Sequence, residues 1–525
     1  MGPDDPPPSD RRSARTRRQF LKSAATGLGG VAVLGGGGAL ALSRAGRDGS
    51  DGAPPIRRPA EALNLVVICL DTVRADHVGA YAGDGVRPAR SVRTPAIDAL
   101  ARESLRFRHA RPEVLPTIPA RRSAYTGIRT FPMDGWRPED DSPHIYGWQR
   151  IPAGQETIDA VLRRRGYRTA LVTDNTWLLK PSWTRFRAGF DDLRTVRSQE
   201  HQRLARGTRT ERIEIAEFVP RTLLGRRAEE RRVAAYAKVV GRYLRHTRTF
   251  EREEDWFAPR VFTQAMSWLD EHVQRRATEP FALFVESYDP HEPWDPPKKY
   301  VDLYDDPDYR GVEPVSPFYG GQDYLSPREQ RRMRALYAGE LTMADRWVGE
   351  LMGRLDELRL LDRTVVLFWS DHGMSLAERG FVGKSPSQVY AEMVDVPLLI
   401  RHPEGRRAGD ATDHLVQLHD IPATALAMLG FGAPEANEGH DVSPLFYGED
   451  PPEREVQTAG YNDYVWAGDA RWSYIDSNRF RNPKLFDRTK DPGERRDVSS
   501  DNGDVVRRLR RAIRAAADGK TIPRY

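Results

Sequence analysis

Two short apolar runs, residues 65–70 and 365–369, are each followed within two residues by acidic side chains. Continuous β-branched runs of this length are typical of buried parallel strands. Asp71 follows the first run, and Asp371 and His372 follow the second. Because the carboxyl ends of parallel strands meet at one edge of a sheet, we expect these three side chains to converge there.

Other segments alternate between helical and strand patterns, which predicts an α/β fold with a large, mostly parallel central sheet. Helices are expected in regions that carry the 3.6-residue apolar period or helix start and stop signals, and strands in short apolar runs between them. The predicted helices lie at 94–107, 119–127, 155–165, 257–273, 327–360 and 414–430, and the further strands at 167–174 and 281–288.

An Arg- and Glu-rich helical stretch over residues 195–250 interrupts this alternation. It contains no chemical motif, and its charges are typical of a solvated helix face. We interpret it as an insertion or a lid.

The N-terminus carries an export-type pattern. Residues 16–22 read "TRRQFLK" and resemble the twin-arginine motif, and a Gly/Ala-rich apolar stretch follows with a small-residue cleavage site at 39–41. We therefore predict a signal peptide over 1–41, a linker over 42–62, the twin-arginine translocase as a partner, and a periplasmic, cell-surface or secreted protein. The alternative is an uncleaved signal that anchors the chain. No stable membrane span is expected elsewhere.

Charge and cysteine content exclude several function classes. Ten of the 81 Lys and Arg residues and five of the 76 Asp and Glu residues lie in 1–58. The rest of the chain therefore carries 71 basic and 71 acidic residues. A neutral body argues against nucleic-acid binding. The only cysteine, Cys69, lies in a predicted strand, so the chain cannot form an internal disulfide or a Cys-based metal cluster.

The converging residues suggest metal-assisted chemistry. Asp71, Asp371 and His372 can hold one divalent cation, and a single histidine leaves Ca, Mg, Mn and Zn all open. Thr117, in "LPTIPAR", is a candidate nucleophile and fourth ligand.

These residues resemble the sulfatase family of the alkaline phosphatase superfamily. The matching segments occur in family order, namely "NLVVICLDTVRADHVGAY", "RTPAIDALARESLRFRHA", "TIPAR", "DPHEPW", "SDHG", "GKSPSQVYAEMVDVPLLIRHPEG" and "NPKLFDRTKDPGERRDV". The resemblance implies an alkaline-phosphatase-like α/β sandwich, with a catalytic domain over 63–403 and a C-terminal subdomain over 404–525 containing a small antiparallel sheet.

One position departs from the family pattern. The family's nucleophile position resembles Cys/Ser-x-Pro-x-Arg, and its Cys or Ser is oxidised to formylglycine, whereas this chain has Thr117. Threonine cannot give an aldehyde, because its Cβ already carries a methyl group. A threonine ester must be cleaved by water at sulfur or phosphorus, and phosphorus accepts that attack more readily.

The resemblance implies further site residues. Arg121 would neutralise the substrate anion or hold Thr117, Lys384 would bind the anion and the leaving group, and His291 would protonate the leaving oxygen. In the segment where the family usually carries Lys or His, this chain offers Asn175 to hydrogen-bond the substrate and Trp177 to stack on its organic group.

The sequence therefore predicts an exported, metal-dependent hydrolase of phosphate or sulfate esters, acting on a small-molecule, glycan or lipid ester. Two alternatives remain open. One is a transferase that moves a phospho-alcohol group onto an envelope polymer, and the other is a non-catalytic binding protein that retains the fold.

Overall fold

The computed structural model describes residues 62–83, 92–137, 139–141, 143, 145–197, 213–275 and 278–522. All of them belong to one unit that spans residues 57–525. The predicted signal peptide, nearly all of the predicted linker and residues 198–212 of the predicted insertion lie outside the described residues. Within the described residues, no helix combines the length and the apolar character needed to cross a bilayer.

An eight-stranded sheet forms the centre of the molecule. Its strands are β1 (Asn64–Leu70), β2 (Leu105–Arg111), β3 (Arg168–Thr173), β4 (Asp192–Thr195), β5 (Phe281–Ser287), β7 (Thr364–Trp369), β10 (Leu398–Arg401) and β11 (Ala411–Gln417). Their order is β11-β2-β10-β7-β1-β5-β3-β4, and all adjacent pairs are parallel except the two that involve β10. The predicted central, mostly parallel sheet is confirmed.

Helices cover both faces of this sheet, which explains why its central strands read as continuous apolar runs. Along β1, Ile68 faces one core and Cys69 faces the other, as the two-residue strand period requires. The helices are α1 (Pro95–Arg102), α2 (Thr117–Thr126), α3 (Ile158–Arg164), α4 (Arg185–Ala188), α5 (Arg221–Leu224), α6 (Glu230–Thr247), α7 (Phe257–Gln274), α8 (Lys298–Val301), α9 (Pro327–Glu357), α10 (Ala391–Val394), α11 (Asp420–Met428) and α12 (Gly503–Ala516).

Two smaller sheets complete the fold. The first pairs β6 (Gly320–Gly321), β8 (Ser375–Leu376) and β9 (Phe381–Gly383). The second is antiparallel and contains β12 (Gln457–Tyr461), β13 (Tyr464–Gly468), β14 (Trp472–Ser477) and β15 (Lys484–Asp487). Helix α12 covers this second sheet through Val506, Leu509 and Ile513. The expected C-terminal antiparallel sheet is therefore present.

Two predicted helices are wrong in part. The helix expected over 94–107 ends at Arg102, and the following Leu105–Arg111 forms strand β2, whose alternating burial matches a half-buried strand. The helix expected over 414–430 is split into strand β11 and helix α11. The large sheet thus continues past residue 403, the boundary expected from the sequence.

Candidate active site

Neighbouring parallel strands place the predicted site residues at one edge of the sheet. Strand β1 lies between β7 and β5, with Cys69 opposite both Trp369 and Glu286. Asp71 follows β1, Asp371 and His372 follow β7, and His291 lies four residues after β5. This shared direction explains how residues hundreds of positions apart in sequence come together.

Asp71, Asp371 and His372 form a buried cluster whose potential ligand atoms all lie within 4.8 Å of one another. Burial raises the pKa of Asp71 well above its usual value, and the neighbouring Asp371 raises it further. Nη1 of Arg121 lies 3.0 Å from Oδ2 of Asp71, but no group in the described residues donates a well-aligned hydrogen bond to that oxygen. One guanidinium balances only part of the charge of two adjacent buried carboxylates, and a divalent cation would neutralise the rest, so the donor set fits one.

The imidazole of His372 is oriented for such a role. Its Nδ1 donates to the carbonyl of Gly373 at 2.9 Å, so Nε2 carries the free lone pair. Nε2 lies 3.2 Å from Oγ1 of Thr117. Burial lowers the pKa of His372 to about 4, which leaves the ring neutral at pH 7. A neutral imidazole with a free Nε2 is the form that binds a metal.

Arg121 lies beneath this cluster and is fully buried. Its Nη1 contacts the carboxylates of Asp71 and Asp371, and Nε donates to Glu286 at 2.9 Å. Nη1 also lies 3.4 Å from the carbonyl oxygen of Thr117. The guanidinium therefore holds Thr117 and the carboxylates. Arg121 does not line the cavity that adjoins Thr117. Of its two predicted roles, its position therefore favours holding Thr117 over neutralising the substrate anion by direct contact.

Thr117 is the first residue of helix α2, two residues earlier than the predicted helix start. The amide of Ala120 donates to Pro116, while the amides at the very start of the helix have no partner within it. Oγ1 of Thr117 therefore lies beside a helix N-terminus that favours anions.

Lys384 and His291, each predicted to act on the leaving group, lie side by side, and a third residue joins them. Nζ of Lys384 lies 2.8 Å from Nε2 of His291 and 3.2 Å from Oε2 of Glu292. His291 Nδ1 donates to the carbonyl of Glu292 at 2.7 Å, so Nε2 accepts the proton of Lys384 or of Tyr288. Nε2 of His291 therefore lies within hydrogen-bond distance of two donors, the Lys384 ammonium and the Tyr288 hydroxyl.

An open cavity of about 450 Å³ adjoins Thr117, His291 and Lys384. Most of its wall is apolar, and helix α6 of the predicted insertion contributes Ala235, Tyr236 and Val239. Its aromatic lining residues are Trp148, Trp177, Tyr236, Tyr288, Phe318, Tyr319 and Tyr461.

The two predicted substrate contacts differ in position. Trp177 lines the cavity and donates its indole N–H to Tyr288 at 3.2 Å. Asn175 is fully buried and does not line it; its Oδ1 accepts from the amide of Trp177 at 3.0 Å. The geometry therefore supports a substrate contact by Trp177, whereas Asn175 shapes the turn that carries it.

Glu286, Glu292 and Tyr319 belong to the site but had no role predicted from the sequence. Glu292 follows His291 in the "DPHEPW" segment, but its pairing with Lys384 is a long-range contact that no local pattern indicates. Tyr319 donates to Glu292, and its ring packs so closely on Gly383 that a Cβ there would lie 2.2 Å from it. Gly383 also has a φ of +85°. The close approach of the Tyr319 ring and this positive φ each require glycine immediately before Lys384.

The sulfatase family model matches residues 63–431. The chain belongs to the sulfatase family. The expectation of a sulfatase-like ester hydrolase is confirmed at this level.

Similar proteins agree with this assignment. An arylsulfatase of Clostridium perfringens is 23% identical over 465 residues, covering 82% of this chain and 89% of that protein. The multifunctional alkaline phosphatase superfamily protein PehA of Trinickia caryophylli is 26% identical over 427 residues, covering 73% of this chain and 76% of that protein. The phosphonate monoester hydrolase of Agrobacterium radiobacter shares the fold, with a TM-score of 0.64, 18% identity and coverage of 87% of this chain and 96% of that one.

Proposed function

We propose that this protein is an exported, metal-dependent hydrolase of sulfate or phosphate esters that uses Thr117 as its nucleophile. The observation that carries the proposal is the position of Thr117, which lines the cavity and whose Oγ1 lies 3.2 Å from His372 Nε2. Thr117 thus adjoins both a potential cation site and the space for a substrate. A non-catalytic binding protein would not need this arrangement.

Asp71, Asp371, His372 and Thr117 would hold the cation. When bound, it would lower the pKa of the Thr117 hydroxyl and neutralise charge on the substrate. Arg121 orients the two carboxylates and the Thr117 backbone.

Thr117 Oγ1 forms a bond to phosphorus or sulfur while the bond to the leaving oxygen breaks. The leaving alcohol gains a proton from Lys384, directly or through Nε2 of His291; the Thr117 hydroxyl loses its proton to solvent, and solvent returns one to Lys384. The free amides at the start of α2 stabilise charge on the equatorial oxygens. Water then cleaves the threonine ester and releases the inorganic anion.

The cavity supports an apolar organic group on the substrate. The wall is mostly apolar and includes seven aromatic side chains, whereas a heavily hydroxylated ligand needs many hydrogen-bonding partners. Among the small-molecule, glycan and lipid esters that the sequence allows, this favours an aryl or alkyl ester. We further propose that residues 195–250 act as an insertion that completes this wall through α6.

A panel of esters that share one aryl group tests the proposal. Purified, chelator-treated protein is assayed with an aryl sulfate, an aryl phosphate, a methyl aryl phosphate and an aryl methylphosphonate, with Ca, Mg, Mn or Zn added back. We expect cation-dependent hydrolysis of at least one ester, with phosphorus favoured over sulfur. Glycerol added as an acceptor separates hydrolysis from transfer, since a transferase would form the glycerol ester. If no ester is hydrolysed or transferred with any cation, the proposal is rejected.

A further inference from the structure

Glu292 places a carboxylate in the wall of the cavity beside Lys384, the only lysine among the described residues that line it. Its oxygens lie 3.2 and 3.4 Å from Nζ of Lys384, and Tyr319 donates to the same carboxylate. Both charged side chains are at least 92% buried, so little water screens the pair.

This pairing limits what Lys384 can do for a substrate. One of its protons is directed to His291 and its charge is balanced by Glu292. The other buried cation of the site, Arg121, is already surrounded by three carboxylates, those of Asp71, Asp371 and Glu286. The divalent cation of the proposed function and Arg121 together carry three positive charges, which the carboxylates of Asp71, Asp371 and Glu286 formally balance. No further cationic side chain lining the cavity in the described part of the chain is left to balance a second negative charge on a substrate.

We propose that Glu292 is a specificity-determining residue, which makes the site select esters with a single negative charge over doubly charged phosphate monoesters. This inference rests on the proposed function. A dianion bound against Lys384 places its extra charge close to the Glu292 carboxylate in a buried site, where the repulsion between like charges is strong. A sulfate monoester, a phosphodiester or a phosphonate monoester avoids that repulsion.

The experiment compares 4-nitrophenyl phosphate with methyl 4-nitrophenyl phosphate, which share the leaving group and the phosphorus centre. At about pH 8, well above the second phosphate pKa of about 6, the monoester carries two negative charges and the diester carries one. Wild-type protein should have the higher kcat/KM on the diester. Glu292→Gln should raise the monoester-to-diester ratio of kcat/KM by about 10- to 100-fold, as expected when a nearby buried like charge is removed.

Two further variants separate charge from structure. Glu292→Asp keeps the charge and should leave the ratio within about 3-fold of wild type, given the distance dependence of the interaction. Glu313→Gln is the matched control, because this carboxylate pairs with Arg332 and does not line the cavity; it should leave the ratio unchanged.

A binding measurement adds a readout without turnover. Calorimetry should show Glu292→Gln gaining affinity for the phenylphosphonate dianion relative to methyl phenylphosphonate. A wild-type protein that prefers the monoester overturns the inference even if no variant folds. A Glu292→Gln protein that loses both activities equally shows that Glu292 only supports Lys384. Absence of turnover of every ester by wild type rejects the proposed function itself.

Discussion

Nε2 of His372 lies 3.2 Å from Oγ1 of Thr117, although 255 positions separate them in the sequence. One atom belongs to a residue at the end of β7, and the other to the first residue of α2. Because His372 gives its Nδ1 proton to Gly373, its remaining lone pair points towards the threonine hydroxyl. The Nε2 lone pair of His372 and the Thr117 hydroxyl thus lie close to the buried carboxylates of Asp71 and Asp371.

We therefore expect one divalent cation per chain, and Asp371→Asn should weaken its binding by at least about 100-fold, since a direct ligand is lost. Metal content is measured by atomic emission after chelation, reloading with each candidate cation and dialysis. Asp413→Asn is the control, because this carboxylate is exposed and pairs with Arg108 and His109, away from the three potential ligands. Full metal occupancy in Asp371→Asn protein would contradict the assignment.

The residues at the strand ends could be predicted, because a buried parallel strand has an uninterrupted apolar sequence that is easy to recognise. Asp71, Asp371 and His372 were found in this way, and the family resemblance supplied Lys384 and His291. The cavity wall could not be predicted. Val239 belongs to an amphipathic helix whose pattern shows which face is buried but not what covers it, and the contact between Tyr319 and Glu292 depends on long-range packing.

Helix α6 should influence which organic group is accepted. Val239→Gln replaces part of the apolar wall by a polar side chain, and we expect kcat/KM for a large aryl ester to fall about 10-fold, as for the loss of one to two kcal/mol of apolar burial. A methyl ester with the same reacting centre should change little. Val273→Gln, at a 38% exposed position outside the cavity, is the control. Equal losses on the large and small esters would argue against a direct contact.

Stability should decrease in acid through His419. Burial lowers the pKa of His419 to about 3, and Nε2 lies 3.4 Å from Arg454. An unfolded histidine has a pKa of about 6.5, so the unfolded state binds the proton more tightly and stability is lost as pH falls below that value. Between pH 7.5 and 5 this amounts to about 2 kcal/mol.

His419→Gln should reduce this loss in the free energy of unfolding, measured by denaturant titration at both pH values. Ile421→Val, in the first turn of the helix that His419 precedes, should lower stability equally at both pH values and so serves as the control. An unchanged pH dependence in His419→Gln protein would show that His419 is not the group responsible.

Export is expected to depend on the pair Arg17 and Arg18 in "TRRQFLK". Replacing both with Lys keeps the charge but removes the twin-arginine signal, so the protein should remain in the cytoplasm. Fractionation of cells that express each version measures this. Replacing Arg11 and Arg12 with Lys is the matched control and should leave export intact. Continued export of the Arg17/Arg18 variant would indicate a different route.

Thr117→Val tests the proposed nucleophile, because valine keeps the branched shape and removes only the hydroxyl. We expect kcat/KM to fall by about 10³-fold or more, as when a covalent nucleophile is lost elsewhere. Acid-quenched wild-type protein should carry phosphate or sulfate on Thr117 by mass spectrometry, and the variant should not. If Thr117→Val turned over the best substrate at a near-native rate, threonine would be only a ligand or a spacer, and water would be the nucleophile.

Thr117→Cys asks whether the nucleophile decides between sulfur and phosphorus. The segment would then match the Cys-x-Pro-x-Arg pattern that the family converts to formylglycine, whose hydrate has the second hydroxyl that threonine lacks. Coexpressed with a formylglycine-generating enzyme, Thr117→Cys should gain aryl sulfate hydrolysis relative to aryl phosphate hydrolysis. Thr117→Ser, expressed without that enzyme, keeps a simple hydroxyl and should retain the wild-type preference. An aldehyde confirmed by mass spectrometry without any change in preference would mean that the pocket, rather than the nucleophile, sets the choice of ester.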